Sequence, residues 1–467
     1  MSDVSPAERR TKIVCTIGPA TSSRPRLRAL LEAGMNVARL NFSHGEPAQH
    51  AAVLADVRAL GQELGAPVAV LQDLAGPKVR VGTFPGGSVD LEPGGRFTLT
   101  TRDVEGSREG ASVSYAGLPG AVGAGDTLLL ADGAIVLRVE RVTGEDVHSE
   151  VLVGGRLGSR KGVNVPSGLP GLPILGDKDL RDLRVGLESG VDYVGLSFVR
   201  SAADVRTVRD HMERLGGRAL VIAKIETRAA LERFDEILDA SDGIMIARGD
   251  LGIETPFARV PIVQKRLIAE AKRRAKPVIT ATQMLFSMVS SPRPTRAEVA
   301  DVANAVLDGS DAVMLSEETA IGGHPVRAVE VMAEIALETE QGTLLGPRPS
   351  GPTAEPPRSD EEAVVRAACR LAADRAIDLI VTVTRTGETA RLAAAQRPSQ
   401  PIVALAGDEE TARRLALVRG VRPLLLSPSG PSPEPMLEVA RRAARARGWP
   451  EVRAVFVSHD RLWTGRL

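Results

Sequence analysis

The sequence predicts an α/β protein: a closed parallel (β/α)8 barrel, interrupted by a small β domain and followed by a separate α/β domain. Three observations carry that expectation. Eight short runs, rich in Val and Ile and almost continuously apolar, alternate with amphipathic stretches, as strands buried on both faces alternate with covering helices. The alternation lapses once, between about residues 79 and 175, where glycine is frequent and the helical period vanishes. It resumes beyond a polar, Pro-rich stretch at 346–357. Eight strand–helix pairs is the count of a closed barrel, with a doubly wound open sheet as the alternative.

In chain order the strand-like runs are 13–17, 37–40, 68–71, 193–198, 219–225, 243–247, 277–280 and 312–315. Helical patterns fall at 24–32, 47–64, 177–188, 202–214, 229–238, 259–274, 296–307 and 325–338. The interruption follows the third strand. It holds shorter, alternating strands at 96–100, 127–130 and 135–140, with Asp132-Gly133 as a hairpin signal between the last two. After the Pro-rich stretch, helices at 361–374, 389–395, 409–418 and 435–444 alternate with strands at 379–383, 402–404, 424–426 and 452–457. The expected domains are barrel 1–78, inserted β domain 79–175, barrel 176–345, linker 346–360 and C-terminal domain 361–467.

Composition narrows the function. The 467 residues carry 59 basic and 59 acidic side chains, so neither a nucleic-acid footprint nor an acidic tail is present. No run approaches the length of a membrane span, and the first residues lack the apolar stretch of a signal peptide. Cys15 and Cys369 are the only cysteines, which excludes a disulfide framework and a Cys-rich metal site. A soluble, cytoplasmic protein without nucleic-acid or membrane partners is expected. Of the 59 basic residues only eight are Lys, and none follows Lys276. In such a chain each Lys is a candidate for work that needs a compact charge rather than the planar fork of Arg.

Catalytic groups of a closed parallel barrel gather at the C-terminal ends of its strands. The polar residues there are Arg39, Asn41 and Ser43; Asp73; Ser197; Lys224 and Glu226; Arg248 and Asp250; Thr282; Ser316 and Glu318. Neither His nor Cys is among them, which disfavours zinc and thiol chemistry, whereas carboxylate oxygens suit Mg or Mn. Lys224 and Glu226, two apart on a strand, share a face. In isolation they read as a surface ion pair, but the apolar run 220–223 puts them at the end of a buried strand. Gly249-Asp250 reads either as a turn with a helix cap or as a metal carboxylate beside a backbone that a ligand can approach. Arg39, Asn41 and Ser43 converge if extended and could hold a phosphate and a cation; the alternative is a strand end running into a helix capped by Ser43.

Over nearly its whole length the chain resembles the pyruvate kinase family. The carrying segments are Lys12-Ile-Val-Cys-Thr-Ile-Gly-Pro19, Gly34-Met-Asn-Val-Ala-Arg-Leu-Asn-Phe-Ser-His-Gly45, Lys161-Gly-Val-Asn-Val-Pro166, Ser241-Asp-Gly-Ile-Met-Ile-Ala-Arg-Gly-Asp-Leu-Gly252, Ile279-Thr-Ala-Thr-Gln-Met-Leu285, Pro292-Arg-Pro-Thr-Arg-Ala-Glu298 and Asp301-Val-Ala-Asn-Ala-Val-Leu-Asp-Gly309. The resemblance implies a (β/α)8 TIM barrel with an inserted small β-barrel domain and a C-terminal α/β domain. It implies phosphoryl transfer from phosphoenolpyruvate to ADP, giving pyruvate and ATP in glycolysis, by a homotetramer. Glu226 and Asp250 match the Mg ligands. Lys224 matches the Lys that stabilises the transferring phosphoryl and the enolate, and Arg39 the phosphate-contacting Arg. Gly249, Asp250 and Thr282 match substrate contacts, with Thr282 and Ser316 hydroxyls near the enolate. Pro19, Asn41, His44 and Arg80 lie where relatives meet the nucleotide.

Departures from the pattern are equally specific. Members that need potassium hold it with groups matching Asn41, Ser43, Asp73 and the Leu74 carbonyl, and continue Asp-Thr-Lys-Gly-Pro-Glu. Here the segment reads Asp73-Leu-Ala-Gly-Pro-Lys78. Potassium-independent members carry Lys at that place, so Lys78 is expected to replace the cation. Ser201 stands where relatives often have Lys, Ile321 likewise, and Glu317 adds an acid read as pointing outward. Thr384-Arg-Thr-Gly-Glu-Thr389 resembles a phosphate-binding turn for a sugar-phosphate effector, but the chain is expected to lack the final strand that closes that pocket, leaving weak activation or none. Another metal-dependent barrel enzyme acting on a small oxo-acid, and a non-catalytic binding relative, are the competing functions.

Overall fold

The computed structural model describes residues 9–166, 168–169, 171–342, 356–426, 438, 440–441 and 452–467. Eight parallel strands close a barrel: β1 Lys12–Ile17, β2 Val37–Asn41, β3 Ala69–Asp73, β4 Tyr193–Leu196, β5 Leu220–Ile225, β6 Gly243–Ala247, β7 Val278–Ala281 and β8 Ala312–Leu315. Each pairs with its sequence neighbours, and β8 closes on β1 with Ala312 opposite Lys12. The open-sheet alternative is thereby excluded.

Side chains alternate along each strand, and the alternation builds two cores. Ile13, Cys15, Val70, Val221, Ala223, Ile244 and Ile246 face outward to the helices. Val14, Val37, Ala69, Leu71, Ile222, Met245, Ile279 and Met314 face inward and fill the barrel. Continuing the inward set by two toward the C-terminal ends gives Thr16 on β1, Arg39 on β2, Asp73 on β3, and Lys224 then Glu226 at β5. The period that packs the barrel therefore delivers these polar groups to its mouth.

The inserted segment has its own core, including Phe97, Leu99, Leu128, Ile135, Val147 and Val163. It forms a six-stranded sheet and a two-stranded ribbon. The strands at Arg96–Thr100 and Thr127–Leu130 lie where the alternation puts them, and the third extends to Thr143. Between Leu130 and Ile135 the hairpin turns through positive φ at Ala131, Asp132 and Gly133. Ile174 and Leu175 pack into the barrel core.

The C-terminal sheet runs Val421–Leu425, Ile402–Ala406, Leu379–Thr384, Arg453–Val457 and Leu462–Arg466. The last strand corrects the expectation that it is missing. Leu462–Arg466 pairs antiparallel with Arg453–Val457, and Trp463 stacks on Phe456 with ring centroids 5.3 Å apart. The half-pocket argument loses its footing with it. The edge strand begins at Val421 rather than 424, because Pro423 is tolerated at an edge. Ser43 is not a cap; the helix Pro47–Glu63 starts from Glu46 in a capping box with Gln49. The linker and the helix expected at 435–444 lie almost wholly outside the described residues.

The C-terminal unit docks on the barrel floor. Ala416 and Leu417 join the interior core, and the Tyr193 hydroxyl donates to the Arg414 carbonyl at 2.7 Å. Asp192, 1% exposed, accepts from Val70 N at 2.8 Å, Arg58 at 2.7 Å and Arg413 at 2.9 Å. Its removal takes the buried carboxylate from two largely buried guanidinium groups, leaving Arg58 with the Val68 and Gly190 carbonyls and Arg413 with Glu409 at 3.6 Å. Asp192→Ala is expected to destabilise the protein by about 3 kcal/mol, since breaking a buried ion pair is far worse than never having one. A denaturation midpoint within error of wild type would contradict this.

Candidate active site

At the barrel mouth β2, β3 and β5 bring four charges together. The Lys224 ammonium lies 3.0 Å from Asp73 Oδ1 and 3.0 Å from Glu226 Oε1, and donates to Ser197 Oγ at 2.7 Å. Arg39 donates from Nε to Asp73 Oδ2 at 2.7 Å and from Nη1 to Thr16 Oγ1 at 2.8 Å. Ser197 donates to the Leu74 carbonyl at 2.7 Å, and Phe198 N donates to Glu226 Oε2 at 2.7 Å. Asp73, Lys224 and Glu226 are all buried.

Burial opposes every charge here, and the neighbours decide the outcome. At Asp73 the ammonium of Lys224 and the guanidinium of Arg39 outweigh desolvation and hold the carboxyl below its usual range. Lys224 is likewise disfavoured by burial, yet Asp73 and Glu226 raise it above its ordinary value, so it is charged. Burial wins at Glu226: its carboxyl is pushed up to about 7 despite Lys224, with Asp250 adding repulsion.

Asp250 stands in the first turn of the helix Arg248–Glu254, which follows β6 directly. The Thr282 hydroxyl, just past β7, accepts from Gly249 N at 2.8 Å and donates to the Ala281 carbonyl at 2.6 Å. Thr282 has φ +70, an outlier for a β-branched residue that costs about 1–3 kcal/mol. Beyond β8, Ser316 N donates to the buried Glu318 carboxylate at 2.6 Å, which also accepts from Leu285 N at 3.1 Å. Glu317 is exposed in the first turn of the helix Glu317–Ala320, pointing away as expected.

The remaining candidates make their contacts outside this cluster. Asn41 Oδ1 accepts from Ser43 N at 3.2 Å, and Pro19 and His44 are exposed on adjoining loops. The His44 carbonyl meets the His50 ring at 2.8 Å, and that ring stacks on Phe42. Arg80 is exposed on the inserted unit and donates to the Arg160 carbonyl at 2.9 Å. Gly76 turns the segment after β3 with φ +69, and a Cβ there would meet Ser197 Cβ at 2.9 Å. Lys78 then borders a cavity of about 380 Å³ between barrel and inserted unit. Its ion-pair partner among the described residues is Asp132, at 4.0 Å. Ser197, expected at its strand end, joins the cluster, and Thr16 and the Phe198 amide complete it without having been singled out. Thr16 was within reach, since it continues the inward parity of β1.

Such a mouth, with ammonium, guanidinium and carboxylates gathered at the C-terminal ends of the barrel strands, defines a barrel enzyme that handles an anionic substrate by charge. Residues 8–329 match the family model of the pyruvate kinase barrel domain, and residues 362–461 that of the pyruvate kinase alpha/beta domain. Pyruvate kinase 2 of Synechocystis sp. is 49% identical over 427 residues, covering 90% of this chain and 71% of the relative. The pyruvate kinase of Thermotoga maritima is 44% identical, covering 89% of each. The crystal structure of a pyruvate kinase from Cryptosporidium parvum matches with a TM-score of 0.92 at 38% identity, over 98% of this chain and 96% of that one. The chain belongs to the pyruvate kinase family, and is an enzyme that transfers a phosphoryl group.

Proposed function

We propose that the protein transfers the phosphoryl group of phosphoenolpyruvate to ADP with Mg or Mn held by Glu226 and Asp250, and that it does not require potassium. The observation that carries the reading is the buried Arg39–Asp73–Lys224–Glu226 cluster facing Asp250 and Thr282 across the barrel mouth. Mg is ordinarily bound by one or two carboxylates together with substrate oxygens and water. Two carboxylates, with Asp250 close enough to raise Glu226 and no His or Cys beside them among the described residues, are that donor set. A bound divalent cation would neutralise oxygens of the substrate and of the phosphoryl group.

The chain's own residues do the rest. Lys224, pinned by Asp73, Glu226 and Ser197, keeps a compact positive charge where the phosphoryl leaves the enol oxygen. Arg39, fixed by Asp73 and Thr16, orients the phosphate. The enolate left behind takes a proton on its methylene carbon, beside the hydroxyls of Thr282 and Ser316. Gly249 lets the substrate approach the backbone closely. Pro19, Asn41, His44 and Arg80 receive the nucleotide, and the inserted unit closes to keep out water, which competes with ADP for the phosphoryl. Lys78 supplies the charge that potassium supplies elsewhere, turning from Asp132 toward the groups that match the cation site, Asn41, Ser43, Asp73 and the Leu74 carbonyl. The working form is a cytoplasmic homotetramer.

Pyruvate release is expected to require both phosphoenolpyruvate and ADP, to stop on chelation of divalent metal and to return with Mg. A barrel lyase or aldolase would release pyruvate without ADP, and a binding relative would hold phosphoenolpyruvate without turnover; either result refutes the proposal.

A further inference from the structure

Arg248 adjoins Gly249 and Asp250, yet among the described residues its hydrogen bonds turn away from them. Nε donates to the Ala281 carbonyl at 3.3 Å, and Nη2 to the Thr282 carbonyl at 2.8 Å and Met284 Sδ at 2.8 Å. Nη1 meets Asp301 Oδ1 at 2.7 Å and Gln264 Oε1 at 3.4 Å. The side chain is 13% exposed. Its fork thus grips two successive carbonyls at the end of β7, with an anion behind it. Those carbonyls flank a strained, left-handed stretch of backbone. Thr282 and Gln283 have φ +70 and +55, and Thr282 is β-branched. Glycine would adopt this turn freely, so the threonine is there for its hydroxyl, and its conformation has to be held. Released, the turn would relax toward negative φ and swing the hydroxyl off Gly249 N.

We propose that Arg248 is the positioning residue of Thr282: with Asp301 behind it, its guanidinium holds the left-handed turn that aims the threonine hydroxyl at Gly249 and the mouth of the barrel. The inference rests on the reading that Thr282 works beside the enolate. It makes Arg248 act on the protonation half of the reaction and not on substrate binding. Lys cannot replace it, because one ammonium cannot bridge both carbonyls and Asp301 in the same plane.

The test compares Arg248→Met, Arg248→Lys, Asp301→Asn, Thr282→Ala and the double variant Arg248→Met/Thr282→Ala. Steady-state kinetics are measured for each, together with exchange of the pyruvate methyl protons in D2O with Mg. Arg248→Met is expected to lower kcat by about 100-fold with KM for phosphoenolpyruvate within about threefold. Arg248→Lys and Asp301→Asn should lose about five- to tenfold each in kcat while remaining folded. Methyl exchange should fall in step with kcat. The double variant should be no worse than Thr282→Ala by more than about threefold, because the two residues act as one unit. Additive losses, or losses confined to KM, overturn the inference. So does full kcat in both Arg248→Lys and Asp301→Asn, and these two decide if Arg248→Met does not fold. Full activity in Thr282→Ala overturns the role of Thr282 and the inference with it. Loss in Thr282→Ala beside full activity in Arg248→Lys and Asp301→Asn overturns the clamp alone.

Discussion

Lys224→Met is expected to lower kcat by about a thousandfold or more, the scale of losing a preorganised charge aimed at the reacting group in a water-poor site. The ammonium is held at 3.0 Å by each of two buried carboxylates and donates to Ser197 at 2.7 Å, so it has one position and no freedom to leave it. Methionine keeps the length of the side chain and removes the charge. Asp73 then keeps Arg39 as its cation, with the Ser197 hydroxyl at 3.4 Å, and Glu226 loses the charge that pulls against its burial. Folding stability should therefore fall as well, by about 3–5 kcal/mol, as for any buried ion pair broken from one side. Lys224→Met/Glu226→Gln relieves part of that stability loss while leaving turnover as low, which separates the structural contribution from the catalytic one. Lys224→Arg keeps the charge but not its compactness, and is expected to remain impaired by about 100-fold. Single-turnover rates and denaturation midpoints check these expectations. Retention of a tenth of wild-type kcat by Lys224→Met would mean that another group meets the phosphoryl.

Much of this arrangement follows from a period of two. The inward sets that fill the barrel with Val37, Leu71 and Ile222 continue to Arg39, Asp73 and Lys224 by counting alone. The period does not reveal which inward groups meet across strands. Ser197 was visible at its strand end, but its bonds to Lys224 and Leu74 join three strands far apart in sequence. The left-handed turn at Thr282 is a backbone property, and no residue type there announces it, since Thr disfavours positive φ. The terminal strand was hidden for a different reason. Leu462–Arg466 includes Gly465 and Arg466 and has a single large anchor, Trp463 on Phe456. The strand at Asp146–Val153 was also overlooked, although Val147, Ser149 and Val151 alternate inward; its other face carries Asp146, His148 and Glu150, and its turn carries only one glycine.

Lys78→Glu is expected to make turnover depend on potassium. Activity in potassium-free buffer is expected to fall by about 10- to 100-fold, because a tethered ammonium is replaced by a repelling carboxylate beside an anionic substrate. About 100 mM potassium should then restore most of it, since the new acid balances a bound cation as it does in relatives that read Glu there. The geometry sharpens the test. Lys78 lies 4.0 Å from Asp132, with side chains 31% and 61% exposed. A pair that long and that wet is worth about 0–1 kcal/mol, so the ammonium is not committed to Asp132 and is free to turn toward the mouth when substrate binds. If Lys78 served only to latch the inserted unit to the barrel through Asp132, then Asp132→Asn would lower activity as much as Lys78→Glu, and potassium would rescue neither. If Lys78 stands in for the cation, Asp132→Asn leaves turnover close to wild type, and only Lys78→Glu responds to potassium. Initial rates of both variants and wild type, with potassium replaced by tetramethylammonium at constant ionic strength, decide between them. A wild-type enzyme that needs potassium for most of its turnover would show that Lys78 does not fill the cation's place.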